Sequence, residues 1–431
     1  MSDRLSFDAS WEAPFQGDAL EAATHANLQI SLGDEVLTNL IDHTARTTSS
    51  SVRVSAYPLA LWLACNWWRL RWESKAARSD WCQAHALGAA GHGYTWPDVT
   101  ISSLGDFIEI DARPTRGGPW EPVRFLGQAR GFVSPDEFAA GAASFVETVL
   151  ARLDATGHRD TPLSRTWHEL QTERRDPQLA LVRRFEASLG FDPEASPDGL
   201  VDAAIAAATE FGTEAVAEWV GALAHSGRPP DWGVIAADLL AAPVATVPDT
   251  ASLRHAARQA AAGLSSPWQR GEAAAVAVRS AMGRPHGPLS STTLSSWLSM
   301  DSVQEASEGA AYTAAHRDSD QDDGIRVRVQ GHHKMGQRFK LARLIADHLV
   351  SAASADRLLP ATRAKTSRQS LQRAFAAELL LPWHDLSTRT PVEPEEDTMD
   401  AIAEEYEVSP LVVRMRLVDK GRLERDWSLG R

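Results

Sequence analysis

The stretch RFKLARLIADHL, from Arg338 to Leu349, decides how the C-terminal part of the chain is interpreted. It follows a short alternating run, IRVRV, which is typical of a strand, and is itself predicted to be a helix. Positions 343 and 347 lie one helical turn apart on the same face and hold an arginine and an aspartate. This spacing predicts an ion pair between Arg343 and Asp347 across the turn, filling the space between them.

Two further stretches follow in order. SLQRAFAAELLLP, residues 370–382, belongs to a predicted helix that ends at Pro382. YEVSPLVVRMRLVDKGRL, residues 406–423, predicts another helix, with Ser409 as its cap and Gly421 at its end. Together the three stretches resemble the ImmA/IrrE family of zinc metallopeptidases, whose motifs are similar to RFTLAHELGHHL, ExxANxFAAELLMP and FxVSxxxVxxRLxxLGLL. The resemblance covers about residues 267–423.

The residues that zinc chemistry needs are missing from this frame. An HExxH helix presents two histidines to the metal, and its glutamate acts as the general base. On alignment with that motif, the histidine positions hold Arg343 and Asp347, and the glutamate position holds Leu344. The family's third ligand falls near Gln369 or Leu371. Arginine stays protonated and leucine cannot act as a base. We therefore expect a degenerate peptidase with no catalytic residue, no metal and no cofactor.

Basic side chains mark the two helices that line the substrate cleft in the family. Guanidinium groups bind carboxylates and phosphates through two parallel hydrogen bonds. We therefore expect a small anionic ligand or a protein partner there, although a solvated, ion-paired surface is the alternative. The candidate ligand-binding residues are Arg338, Lys340, Arg343, Arg368 and Arg373. The net charge of −14 excludes broad nucleic-acid binding and leaves only a local basic patch for such a partner.

Three other groups have metal-ligand residue types without a trusted spacing, and we expect none of them to hold a metal. They are His332, His333 and His348 with Asp347; Cys65, Cys82, His85 and His92; and the acidic run Asp318–Gly324. Neighbouring helix positions point about 100° apart, so Asp347 and His348 share no face. A calcium loop starting at Asp318 would need Gly and Glu where Asp323 and Val329 stand.

Composition predicts a soluble cytoplasmic protein without a membrane partner. Cys65 and Cys82 are the only two cysteines, which fits a reducing compartment. The start of the chain lacks the apolar segment of a secretory signal. The longest apolar run, YPLALWLACNWW, has about a dozen residues, whereas a membrane-spanning helix needs about 20.

The chain of 431 residues exceeds one ordinary core, and its pattern predicts a predominantly helical α+β fold. We predict a Trp-rich α+β domain at 1–156, a helical domain at 157–264 and a peptidase-like helical domain with a small sheet at 265–431. Within the first, DVTISSLGDFIEIDARP predicts a hairpin, LALWLACNWWRLRWE a buried helix or strand, and SPDEFAAGAASFVETVLARLDATG a helix capped by Ser134. Its clustered tryptophans form either a core or a docking surface.

The resemblance implies a regulatory or binding protein rather than an enzyme. Its setting would be bacterial stress response, mobile-element control or phage defence. Two alternatives stay open at this point. One is an active metallopeptidase with an unconventional site, and the other is a structural subunit of a larger complex that docks through the tryptophans.

Overall fold

The computed structural model describes residues 4–76, 80–116, 121–223, 230–247, 250–298, 310–318, 324–351, 356–391 and 394–424. These residues form a predominantly helical α+β fold with small antiparallel sheets, which confirms the predicted fold class. The chain divides into two compact units, Met1–Ile205 with Val220–Arg228, and Ala206–Trp219 with Pro229–Arg431. The predicted helical domain at 157–264 contributes to both units, and the three-part division stays a prediction.

Three antiparallel sheets and several helices make up the first unit. Its elements are β1 (Leu5–Trp11), α1 (Ala19–Ala23), β2 (His25–Leu32), β3 (Glu35–Val36), β4 (Leu40–Asp42), β5 (Thr47–Ser49), β6 (Val52–Ser55), α2 (Tyr57–Cys65), α3 (Trp67–Trp72), α4 (Trp81–His85), β7 (Asp98–Ser103), β8 (Ile108–Arg113), β9 (Val123–Phe125), β10 (Ala129–Val133), α5 (Pro135–Ala155), α6 (Pro162–Arg175) and α7 (Pro177–Ser188). Strand β2 pairs with β1, β3 and β6, strand β8 pairs with β7 and β10, and β4 pairs with β5 and β9.

Local sequence signals explain several of these elements. The predicted hairpin is β7 paired with β8, and the predicted helix is α5. The Ser134 hydroxyl accepts a hydrogen bond from the Glu137 amide while the Glu137 carboxylate accepts one from the Ser134 amide, a complete capping box. The apolar stretch near residue 60 forms two helices, α2 and α3, and Asn66 lies between them with its side-chain amide donating to the Trp62 carbonyl at 2.9 Å.

The clustered tryptophans lie in the core of the first unit, as the core interpretation predicted. Trp62, Trp67, Trp68 and Trp81 are all buried, and Trp72 is partly buried. The Trp67 ring meets that of Trp167 edge to face, with 5.6 Å between centroids. Most of their surface is therefore committed to packing, which leaves little of it for docking a partner.

The second unit places one four-stranded sheet among helices. Its elements are the adjoining parts of α8 (Leu200–Phe211) and α9 (Thr213–Leu223), then α10 (Trp232–Leu240), β11 (Val244–Thr246), α11 (Thr250–Ala261), α12 (Pro267–Ala281), α13 (Ser291–Leu298), β12 (Ala314–Arg317), β13 (Gly324–Arg328), α14 (Lys334–Val350), β14 (Leu358–Pro360), α15 (Ser367–Leu380), α16 (Trp383–Arg389), α17 (Glu396–Glu405) and α18 (Pro410–Asp419). The sheet order is β11-β13-β12-β14, with antiparallel neighbours.

Helices α12, α14 and α15 form the centre of the second unit. Gly271 lets α12 approach α15 closely, because a Cβ at that position would collide with the Leu371 carbonyl oxygen. From position 341 to 350, every residue of α14 is buried. Ser409 occupies the predicted cap position of α18, but its hydroxyl makes no capping hydrogen bond. In the described part of the chain, no helix has both the length and the apolar character of a membrane span.

Candidate functional site

Helices α14 and α15 pack against each other and bring the sequence-predicted positions together. We call Arg343, Leu344, Asp347 and Gln369 the α14 site. All four side chains are buried, and Leu344 is fully enclosed in the apolar core. The position that a general base would occupy therefore holds a packing residue, out of contact with water.

Arg343 is a buried cation bonded to uncharged oxygens. Its Nη2 donates to the Thr362 carbonyl at 2.7 Å and to Oε1 of Gln369. Gln369 also accepts from the Thr362 amide at 2.9 Å and donates to the Pro360 carbonyl at 3.0 Å. Burial, and to a smaller extent the charge of Arg373, lower the pKa of Arg343 to about 9. The third-ligand position thus holds an amide that ties Arg343 to the end of β14.

Asp347 does not pair with Arg343, so the predicted pair across one helical turn is wrong. Its carboxylate accepts from Arg368 of α15, with Nη2 at 2.7 Å and Nε at 2.9 Å, and from the Ser351 hydroxyl at 2.5 Å. The guanidinium of Arg368 presents two donors to the Asp347 carboxylate. Arg343, one turn away on the same helix as Asp347, makes no such contact. Arg368 also reaches Asp356 at 3.3 Å. Burial lowers the pKa of Arg368, but the charge and hydrogen bonds of Asp347, together with the charges of Glu218 and Asp356, outweigh burial and the net shift is upward.

Glu218 on α9 is a member of this cluster that the sequence did not point to. Its Oε1 accepts a hydrogen bond from the Thr366 hydroxyl at 2.6 Å, at the start of α15. Burial raises the pKa of Glu218, partly offset by the Thr366 hydrogen bond and by the charges of Arg368 and Arg373. Its negative charge also acts on Arg343. Glu218 is separated from Thr366 by 148 residues, and no local pattern relates the two.

The remaining basic candidates have individual partners. Arg338 is buried, forms an ion pair with Glu407 and donates to the Leu289 carbonyl at 2.6 Å. The ammonium of Lys340 donates to the Gln330 carbonyl at 2.7 Å. Arg373 is partly buried, and both of its terminal nitrogens lie 3.3 Å from the Ala364 carbonyl.

The five basic residues therefore differ in what neutralises them. Arg338 and Arg368 contact carboxylates of their own chain. Across the described residues, Arg343 and Arg373 contact only uncharged oxygens, and Glu218 is the nearby carboxylate whose charge stabilises both cations. The structure thus gathers Arg343, Arg368 and Arg373 around Glu218.

His348 and His85 are both buried, and each has a polar neighbour within the chain. His348 is buried, with Nε2 3.4 Å from a terminal nitrogen of Arg254. Burial and the nearby arginines lower the pKa of His348 to about 4. His85 is buried between the Glu73 carboxylate at 2.9 Å and the Ile101 carbonyl at 2.7 Å. Of the acidic run Asp318–Gly324, residues 319–323 lie outside the described residues, and Asp318 pairs with Arg326 at 2.8 Å.

A different group of metal-ligand residues does converge in the second unit. One ligand atom from each of His286, His384 and Asp385 lies within 4.8 Å of the others. Sequence reasoning missed this group because His286 stands in a Gly- and Pro-containing loop 99 residues before Asp385. The only hint was the pair of adjacent ligand types, His384 and Asp385, directly after the stretch that ends at Pro382.

Comparison with protein-family models, with curated proteins and with solved structures gave no match to this chain. The resemblance to the ImmA/IrrE family therefore rests on the three sequence motifs.

Proposed function

We propose that the protein is a catalytically inactive, ImmA/IrrE-like regulatory or binding protein. The observation that carries the proposal is Arg343, a buried cation on the helix where the family's first zinc-binding histidine would stand. A protonated guanidinium repels a metal ion, and Leu344 beside it cannot activate water. The setting we propose is bacterial stress response, mobile-element control or phage defence, as the resemblance implies.

The binding partner in this proposal is a protein that presents an acidic segment. Arg343 and Arg373 donate to neutral carbonyl and amide oxygens, so neither guanidinium has a direct carboxylate partner among the described residues. Among the described residues, Glu218 is the carboxylate whose charge acts on both cations, and Asp347 adds to the effect at Arg343. Burial raises the pKa of Glu218, which means that its charged form is not fully stabilised in this position. Displacing the Glu218 carboxylate therefore costs less free energy than displacing a fully paired carboxylate. We infer that a partner carboxylate takes the place of Glu218.

Binding of a fluorescently labelled Glu-rich peptide, followed by fluorescence anisotropy, tests this idea. Glu218→Gln removes the carboxylate that competes with the peptide for Arg343 and Arg373. Peptide affinity should then rise by roughly tenfold, near the lower end of typical couplings between binding events. Arg373→Glu should abolish binding. Arg363→Glu reverses an exposed charge outside the cluster and serves as the matched control. Equal binding by the natural chain and its three variants, or loss of binding in Arg363→Glu alone, would refute the proposed partner class.

Location is part of the same proposal. Both thiols, Cys65 and Cys82, are free and exposed. Exposed free thiols persist in a reducing compartment, so we propose a cytoplasmic protein without a membrane partner.

A further inference from the structure

The loop between α12 and α13 and the short helix α16 bring three metal-ligand side chains together. Nδ1 of His286 lies 3.1 Å from Oδ1 of Asp385, and the rings of His286 and His384 have centroids 4.6 Å apart. Both histidines are exposed, whereas Asp385 is buried. The group shares no residue with the α14 site.

A buried arginine, Arg279, holds the backbone on both sides of His286. Arg279 is 1% exposed, and its Nη2 donates to the Gly287 carbonyl at 2.6 Å while its Nε donates to the Pro285 carbonyl at 3.3 Å. These two carbonyls flank His286 on either side. The same guanidinium reaches the Leu379 carbonyl at 2.6 Å, which ties the loop to the end of α15. A loop held through two of its carbonyls presents its histidine in one place at little entropic cost.

The carboxylate of Asp385 has one oxygen committed and one available. Its Oδ2 accepts from the Gly287 amide at 2.8 Å and from the Tyr406 hydroxyl at 3.1 Å. Its Oδ1 faces His286. Metal-binding carboxylates are held in this way, with one oxygen in an outer hydrogen-bond shell and the other on the ion.

We propose that His286, His384 and Asp385 form a zinc site with an open coordination position. Two ligand atoms that bind the same Zn²⁺ at about 2.0–2.1 Å with tetrahedral geometry lie about 3.3 Å apart. The observed 3.1 Å between His286 and Asp385 is close to that value. Two imidazoles and one carboxylate are ligands of the type that zinc accepts, with water completing the tetrahedron.

Adjacent residues on a helix point about 100° apart, so His384 and Asp385 would not meet at one ion if all ligands came from α16. His286 comes from a different element and lies against both side chains. A simple ion pair between a charged His286 and Asp385 would use the same 3.1 Å contact, but it would assign no role to His384. The two interpretations differ in their response to zinc.

The test is zinc binding by the full-length protein after a chelator has been removed by dialysis, with ZnCl₂ as the only added ligand. Isothermal titration calorimetry should give one zinc per chain. His286→Ala and His384→Ala remove exposed side chains, so both variants should fold, and each should weaken binding by more than about tenfold, the loss that even outer-shell changes cause. Tyr406→Phe should weaken it by about tenfold.

His332→Ala is the matched control, because His332 is an exposed histidine of the same unit outside the group. It should bind zinc as the natural chain does, and zinc should raise the melting temperature of both but not of the His286→Ala/His384→Ala double variant. The proposal is overturned if the natural chain binds no zinc, or if the double variant binds it equally well. These outcomes are independent of binding at the α14 site, which involves other residues.

Discussion

Nη2 of the partly buried Arg368 lies 2.7 Å from Oδ2 of the buried Asp347, and this ion pair joins α15 to α14. Asp347 is 1% exposed and occupies the position where the resemblance places a second zinc-binding histidine. The carboxylate therefore has a structural partner in place of a metal. Its other contact, the Ser351 hydroxyl, ties it to the C-terminal end of its own helix.

Asp347→Asn should destabilise the protein by about 3 kcal/mol, because it leaves the partly buried Arg368 charge with only the Asp356 contact and the charge of Glu218 to balance it. Urea unfolding followed by circular dichroism measures the change. The double variant Asp347→Leu/Arg368→Met removes both charges and should be less destabilised than the sum of its single variants. If the single changes simply add, the pair contributes no coupling and the account of Asp347 is wrong.

His348 should make stability fall as the pH is lowered. Its pKa is lowered from 6.5 to about 4 by burial and by the charges of Arg254 and Arg317, so in the folded protein it stays neutral where the unfolded chain is protonated. Protons then bind preferentially to the unfolded chain between about pH 6.5 and pH 4, and stability is lost over that window as pH falls. A shift of this size corresponds to about 3 kcal/mol.

Asp347 and Arg258 also face this imidazole, with opposite effects on it. The contribution of His348 is therefore isolated by comparison with His348→Gln, whose free energy of unfolding should change less between pH 7 and pH 4.5. Urea unfolding at several pH values gives both curves. Parallel curves for the two proteins would show that His348 does not titrate as described.

Local elements could be predicted from the sequence because their signals lie within a few residues of one another. The hairpin of β7 and β8 follows from two β-rich runs around a Gly-Asp turn, and α5 from Ser134, its first proline and the acidic first turn. The two helices that carry Arg343, Asp347 and Gln369 were expected to face each other from the resemblance, and they pack together in the structure.

Partner choice within the cluster could not be predicted. Arg343 and Asp347 are well placed on one helix, yet Arg368 is the better partner once α15 packs alongside and offers two donors, Nε and Nη2. Glu218 and the His286 group depend on segments about 100 or more residues away in the chain. Their positions are determined by tertiary packing, which leaves no periodic signal.

Restoring the motif should not restore an enzyme. The variant Arg343→His, Leu344→Glu and Asp347→His places the HExxH residues on α14, but Gln369 still offers an amide at the third-ligand position and Arg368 loses its carboxylate. We expect no peptidase activity and at most weak zinc binding, measured by calorimetry in a His286→Ala background to exclude the other histidine group.

Adding Gln369→Glu to that variant supplies the third carboxylate and should tighten zinc binding by about tenfold or more. The four-residue variant is thus the matched control for the three-residue one. Efficient peptidase activity in the three-residue variant would show that the third ligand had been placed at the wrong position.

Peptidase activity of the natural chain is the most direct test of the central claim, that the α14 site is not catalytic. The purified protein, with and without added ZnCl₂, is incubated with unfolded protein substrates and with helix-turn-helix repressors, and cleavage is followed by mass spectrometry. We predict no cleavage under either condition, because Arg343 and Leu344 supply neither a metal ligand nor a base, and the Asp347 carboxylate is bound by Arg368. Specific cleavage that a chelator abolishes and that Asp347→Asn removes would contradict the account.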